Sequence, residues 1–302
     1  ASLPVSAHAA TWDIGKGDIT ISAGSGGQTV TQGDGAAVED SAPVITGSST
    51  ENTVTINAEK DQTASVTLSG ANIDVSGAGK AAVSTNGEGN VSIELDGDNT
   101  LKSATNHAGL EKNNGGSLTI ADENKNGKLT AKGGDYGAGI GGGWRGSGSD
   151  ITISGGEVNA TGGVNGAGIG GGCYGYGNNI TVSGDAKLKV QGGVEDNIDG
   201  AGAGIGNGGS SDERAIPVTG AEVVPDTSGL TTNGSIEYYA PGADMEKDKP
   251  EKTTVGTLPP QEKPVEPIEP AEPEQPEAER GMDAPLYRVT AKDGRDIAYT
   301  AE

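Results

Sequence analysis

Phenylalanine is absent from this 302-residue chain, and its nine other aromatics are two tryptophans and seven tyrosines. A core built around large rings is thereby excluded, and what can be buried is small and aliphatic. The single cysteine, Cys173, excludes an internal disulfide and a cysteine metal cluster. Two histidines, His8 and His107, are too few for a histidine metal site or triad chemistry. Positive charge is scarce: 20 Lys and Arg stand against 43 Asp and Glu, leaving a net charge of −23. Such a chain cannot neutralise phosphates in quantity, so nucleic acid is excluded as a partner. An acidic surface keeps a protein soluble and attracts cations. No apolar run is long enough to cross a membrane, so membrane insertion is not expected.

What is abundant is glycine, with 54 copies, and it is not scattered. Gly137-Ala138-Gly139-Ile140-Gly141 recurs as Gly166-Ala167-Gly168-Ile169-Gly170 and again as Gly202-Ala203-Gly204-Ile205-Gly206. The first two copies are 29 residues apart, and Asp150-Ile151-Thr152-Ile153-Ser154 repeats at the same step as Asn179-Ile180-Thr181-Val182-Ser183. A fixed period in this range marks a solenoid, whose function lies on a stacked surface and not in one catalytic core. Three strand-like series recur. The first is Val91-Ser92-Ile93, Leu118-Thr119-Ile120, Ile151-Thr152-Ile153 and Ile180-Thr181-Val182. The second contains Leu129-Thr130-Ala131, Val158-Asn159-Ala160 and Leu188-Lys189-Val190, and the third Ala81-Ala82-Val83, Ala108-Gly109-Leu110 and the glycine phrases. Period-two alternation turns aliphatics inward and Thr or Ser outward. Three short strands per turn predict an all-β fold, a right-handed parallel β-helix of six to eight coils over residues 11–240. The outward hydroxyls Thr67, Ser92, Thr119, Thr152 and Thr181 predict one hydrated column.

The flanks differ in character. Ala7-His8-Ala9 fits a small-x-small cleavage site, so residues 1–10 read as the end of a secretion signal. Residues 241–281 are rich in Pro and Glu, as in Glu266-Pro267, Glu269-Pro270 and Glu272-Pro273, and read as a disordered, extended linker. Residues 282–302 regain alternation around Asp293-Gly294 and read as the start of a further, truncated C-terminal β domain. Ile216-Pro217-Val218 and Ile236-Glu237-Tyr238 read as the last coil and its cap, and the segment around Trp12 as the opposite cap.

Three features can carry chemistry. In the glycine phrase, Ala138 and Ile140 are expected inside with Gly139 outside, which predicts a bare backbone stripe, or else glycines that only serve corners. Beside it lie Tyr136, Trp144, Tyr174 and Tyr176, with Arg145, Asn165, Asp135, Asp150, Asn178 and Asn179 as polar neighbours. Exposed rings beside hydrogen-bonding groups make a platform for sugar rings; the alternative is that they cover a turn and bury one another. Asp122, Asn124 and Asn126 precede Gly127 in the first half of a calcium-loop pattern, but Gly133 occupies the position where the closing acid is expected. An ordinary Asx turn explains the same residues. For a lyase, Arg145 and Arg214 are the only arginines of the solenoid, and no carboxylate cluster recurs beside Arg145.

From about Val91 to Gly209, the chain resembles the Gly-rich β-helical region of secreted cell-surface proteins of Firmicutes. The match rests on Gly137–Gly143, Ile151–Ser154 and Val158–Gly163, with Asn99-Thr100-Leu101-Lys102 and Ala108-Gly109-Leu110 as preceding coils. The related carbohydrate-binding domain family is a pectate-lyase-like right-handed β-helix. The resemblance implies a calcium-dependent or acidic-sugar-binding role without catalysis. The expectation is an adhesin-like bacterial surface protein that binds polysaccharide or host glycan along the helix flank. A stalk without ligand and a calcium-dependent polysaccharide lyase are the alternatives.

Overall fold

The computed structural model describes residues 9–210, 219–260, 288–290 and 296–298. The cleavage-site residues up to His8, Arg214, Ile216-Pro217-Val218, the linker from residue 261 on and the Asp293-Gly294 turn lie outside the described residues.

Aliphatic residues alternate with Thr, Ser and charged residues over short stretches, so each stretch buries one side and wets the other. The chain satisfies all of them by coiling into a parallel β-solenoid with three faces. The first face carries Asn90–Asp96, Leu118–Ala121, Ile151–Ile153 and Ile180–Val182 in parallel register. The second carries Asp98–Lys102, Lys128–Lys132, Glu157–Thr161, Lys187–Gln191 and Ser235–Tyr239. The twelve-residue strand Thr63–Asp74 serves both: its first half pairs with the first face and its second half with the second. The third face stacks Ile19–Gly24, Val54–Ala58, Val83–Gly87, Leu110–Lys112, Ile140–Gly141, Ile169–Gly170 and Ile205–Gly206, which gives about six turns from first to last.

The core is a set of aliphatic ladders rather than a cluster. Ala64, Val91, Leu118, Ile151 and Ile180 form one column, and Val66, Ile93, Ile120, Ile153 and Val182 the next. On the third face Ile19, Val54, Val83, Leu110, Ile140, Ile169 and Ile205 line up, all fully buried. At ~1.5–3 kcal/mol for each buried aliphatic side chain, these columns supply the main favourable term of folding. The hydroxyl column starts one alternate residue earlier than the sequence suggests. Ser65, not Thr67, stands opposite Ser92, while Thr67 faces Glu94.

Both ends are closed by antiparallel chain, which stops a parallel stack from continuing. Gly27–Gln32 folds back on Ile19–Gly24, and Val38–Glu39 folds back on that strand. Thr11–Asp13 lies parallel on Val44–Ser49, and the Trp12 indole N–H donates to Asp40 Oδ2 at 2.8 Å. At the other end Lys252–Val255 pairs antiparallel with Ser235–Tyr239. This strand lies inside the stretch that composition assigns to the linker. The reason is local: Gln191 Nε2 ties down the carbonyls of Ala240 and Ala243, and Lys252 lies 4.8 Å over the Tyr238 ring. The dense Pro-Glu repeats begin only after these contacts. In the separate C-terminal unit, Arg288–Thr290 pairs antiparallel with Asp296–Ala298, with Val289 opposite Ile297. Among the described residues no helix is long and apolar enough to cross a membrane.

Candidate functional site

The glycine phrases do not form a bare outward stripe. Gly137 through Gly143 are all buried. A Cβ placed on Gly139 would come within 2.6 Å of the Gly168 carbonyl oxygen and 2.7 Å of the Thr161 amide nitrogen. Gly109 and Gly168 meet the backbone of Lys132 and Gln191 in the same way. The third face is pinched against the ends of the second-face strands, and only glycine permits that approach. The strict alternation assumed from sequence fails here because Gly141 and its equivalents take φ near +134°, which rotates the chain out of a simple strand.

What the glycines expose is a pair of turns per coil. Gly134-Asp135-Tyr136-Gly137 closes with the Gly137 N–H on the Gly134 carbonyl at 2.9 Å, and Gly163-Val164-Asn165-Gly166 repeats it at 2.8 Å. After the third-face strand, Gly143-Trp144-Arg145-Gly146 and Gly172-Cys173-Tyr174-Gly175 each close at 2.7 Å. In all four the third residue has positive φ: Tyr136 71°, Asn165 61°, Arg145 60° and Tyr174 64°. A β-turn of this kind prefers glycine there, and a side-chain-bearing residue costs ~1–2 kcal/mol.

The two ladders of turns fuse into one rib. Within a ladder, Tyr136 N–H donates to the Val164 carbonyl and Arg145 N–H to the Cys173 carbonyl, both at 2.8 Å. Between ladders, Trp144 N–H donates to the Asn106 carbonyl and Cys173 N–H to the Tyr136 carbonyl, again at 2.8 Å. Residues widely spaced in sequence thus become neighbours. The Arg145 guanidinium stacks 4.7 Å from the Trp144 ring centre and 5.6 Å from that of Tyr174 on the next coil. Such cation–π contacts hold a flat cation against rings. Trp144 is 48% exposed and Tyr176 45%, so the rib presents two aromatic surfaces to solvent.

Beneath the rings lies a buried polar knot. In the third coil the first turn is lengthened by Val194–Ala201, which carries Asp196 and Asp199 over the rib. Asp199 accepts the Tyr174 hydroxyl at 2.7 Å and the Cys173 thiol at 3.7 Å. Asn165, fully buried, donates through Nδ2 to the carbonyls of Asp199 and Gly200, while its Oδ1 has no hydrogen-bond partner. Burial and then Asp199 push the Cys173 thiol up to about 12, which makes it an inert packing group. Desolvation, with Asp196 and Asp135, raises the Tyr136 phenol above its ordinary value. Of the other expected neighbours, Asp150 accepts the Asn179 side-chain amide.

The predicted ligand residues Tyr136, Trp144, Arg145, Asn165 and Tyr174 therefore converge. Asn165, however, is buried as scaffold and is not available on the surface. Tyr176 sits one turn further along, its N–H on the Ser147 hydroxyl at 3.3 Å. The Asp122 loop is elsewhere and is closed by itself. Asp122 accepts the Asn126 and Gly127 amides at 3.2 and 3.0 Å, and Asn126 donates to Asp96 at 2.8 Å. No group of three or more His, Cys, Asp or Glu suited to a metal gathers among the described residues.

Sequence reasoning missed two arrangements. His107 Nδ1 lies 2.9 Å from Glu111 Oε2 beside the rib. At the far end, Glu222 accepts the Gly204 and Ile205 amides at 2.6 and 3.2 Å. Neither is signalled by spacing. A polar cleft of about 380 Å³, lined by Ser48, Glu51, Asn52 and Asp74 among others, lies on the early coils. The fold and rib define a capped, three-faced parallel β-solenoid with a ring-bearing edge. No protein-family model, curated protein or solved structure matches the chain.

Proposed function

We propose that this chain is a secreted, non-catalytic, adhesin-like surface protein that binds polysaccharide or host glycan along the rib. The supporting observation is the placing of Tyr136, Arg145 and Tyr174 at turn positions where glycine costs less. Strained side chains persist where the surrounding structure over-determines them, and they cluster at sites that do work. Here Arg145 stacks on the exposed Trp144 indole and on Tyr174, a surface that offers a sugar both a ring face and planar donors. The resemblance to Gly-rich surface proteins of Firmicutes agrees with this reading. Repetition along the stack adds weak contacts in series.

A glycan array with the full chain, run with calcium and with chelator, tests this. Specific binding lost in Trp144→Ala supports the rib. Binding that survives Trp144→Ala and Arg145→Gly moves the site off the rib, and binding lost with chelator implicates the Asp122 loop. A protein that binds no glycan in either buffer is better read as a stalk, a role that the capped, regular stack also suits.

A further inference from the structure

His107 is one of the two histidines set aside as too few for metal or triad chemistry, yet the fold brings it to the rib. It ends the turn Ala104-Thr105-Asn106-His107, which closes with the His107 N–H on the Ala104 carbonyl at 3.0 Å. This turn is one coil before Gly134–Gly137, and its Asn106 carbonyl receives the Trp144 N–H. The imidazole is about one-third exposed and its Nδ1 is 2.9 Å from Glu111 Oε2. Glu111 is 8% exposed; its Oε2 also accepts the Ala108 amide at 3.0 Å, and its Oε1 accepts Asn113 Nδ2 at 3.1 Å. A Cβ added to Gly143 would come within 2.7 Å of the same Oε2. The dyad therefore stands directly against the turn that carries Trp144 and Arg145.

The repeat itself shows which part of the dyad the fold needs. In later coils the amides equivalent to Ala108, those of Ala138, Ala167 and Ala203, donate to the backbone carbonyls of Gly142, Gly171 and Asn207. In the Glu111 coil the corner is shorter, and the carboxylate supplies the missing acceptor. Glu111 faces Gly141 across the ladder, next to the glycine whose carbonyl serves as acceptor in that coil. One acceptor would suffice. The histidine is surplus to this requirement: the corresponding turn positions in later coils are Gly137 and Gly166. A carboxylate accepts and cannot donate, so it fixes the Nδ1–H tautomer of the neutral ring and leaves the Nε2 lone pair for another partner.

We propose that His107, oriented by the buried Glu111, is a ligand-contacting residue of the rib, its Nε2 accepting a hydroxyl of a sugar stacked on Trp144. The inference rests on the glycan reading above and adds to it a polar arm one coil away from the rings. Glu111 is a positioning residue in this scheme, acting through His107.

The two parts separate in one experiment. The chain has two histidines and two tryptophans, so His8→Ala with Trp12→Phe leaves one reporter of each kind. The full chain in this background is titrated with tetra-N-acetylchitotetraose, tri-galacturonic acid and galactotetraose. Indole emission and the imidazole Hε1–Cε1 NMR signal are followed together. The expected result is that one sugar moves both signals along a single saturation curve. His107→Ala should then weaken binding by roughly tenfold, the loss of about one hydrogen bond, with the emission response retained at saturation. Glu111→Gln, which keeps an acceptor for Ala108, should reduce affinity less and broaden the imidazole signal as the tautomer is released. An indole response with an unmoved imidazole signal, and unchanged affinity in His107→Ala, overturns the role of His107 and leaves the glycan reading intact. No response of either signal to any of the three sugars counts against both.

Discussion

The flat faces and the rib solve the same problem with opposite means. On the first face, Ile153 and its column bury branched side chains, and the backbone strands sit apart at the ordinary sheet spacing. On the rib, burial is achieved by backbone meeting backbone, with Gly163 packed so tightly that a Cβ would lie 1.8 Å from the Gly134 carbonyl oxygen. A face tolerates change because one aliphatic can stand in for another of similar volume. The rib does not, because no residue is smaller than the one present. It is also where ring-bearing side chains stand out from the stack. Rigidity of the backbone beneath is what holds Trp144, Arg145 and Tyr174 in place above it.

The comparison can be broken most severely at a rib glycine. Gly163→Ala should lose more than about 4 kcal/mol, or fail to fold, since backbone must move to admit one methyl. Ser92→Ala on the first face should change stability by less than about 0.5 kcal/mol. Equal urea midpoints for the two variants would refute the close-packed account of the rib. Next in size, Ile153→Ala should cost about 2–5 kcal/mol and Ile153→Val about 0.5–1.5 kcal/mol, a graded response that denaturant titration would register and that Gly163 cannot show.

A smaller effect sharpens the contrast at the end of the stack. In the Leu110, Ile140 and Ile169 coils the third-face amides find carbonyls of the next coil; Gly168 and Ile169 donate to Ala203 and Gly204. Among the described residues Ile205–Gly206 is the last third-face strand, and Glu222 substitutes its two oxygens for those carbonyls. Glu222→Ala should cost about 1–3 kcal/mol by leaving the Gly204 and Ile205 amides without their acceptors, read as a fall in the urea midpoint. The smallest change in stability is expected at Arg145→Gly. Relief of positive φ offsets the lost stacking and the added chain entropy, leaving a shift within about 1 kcal/mol. If glycan binding disappears while the thermal midpoint holds, the residue serves the ligand and not the fold; a large fall in the midpoint would assign it to the scaffold instead.

Much of this architecture is legible in the residues. The 29-residue step between Ile140 and Ile169 is the register of the third face, residue for residue. The step between Ile151 and Ile180 is that of the first. That Arg145 meets Tyr174 also follows from the period, because residues one coil apart must stack; that Tyr136 joins them does not, since it sits on the other ladder of turns. Where the step changes, spacing misleads. Ser65 was missed because Ser65 and Thr67 lie on the same wetted side of Thr63–Asp74, and only the pairing with Asn90–Asp96 tells them apart.

Alternating small aliphatics repeated at a fixed 29-residue step pointed by themselves to coiling, since each stretch then buries its apolar side at the same place in every turn. That step also determined which residues stack from coil to coil. Only the tertiary structure decided which way the glycines face, because a φ near +134° at Gly141 breaks the alternation that sequence assumes. It alone joined His107 to Glu111 and Glu222 to the last coil. In both cases a carboxylate replaces a backbone carbonyl, one from the corner of its own coil for Glu111 and one from the next turn of the stack for Glu222. Such a vacancy exists only once the coils are closed and laid on one another.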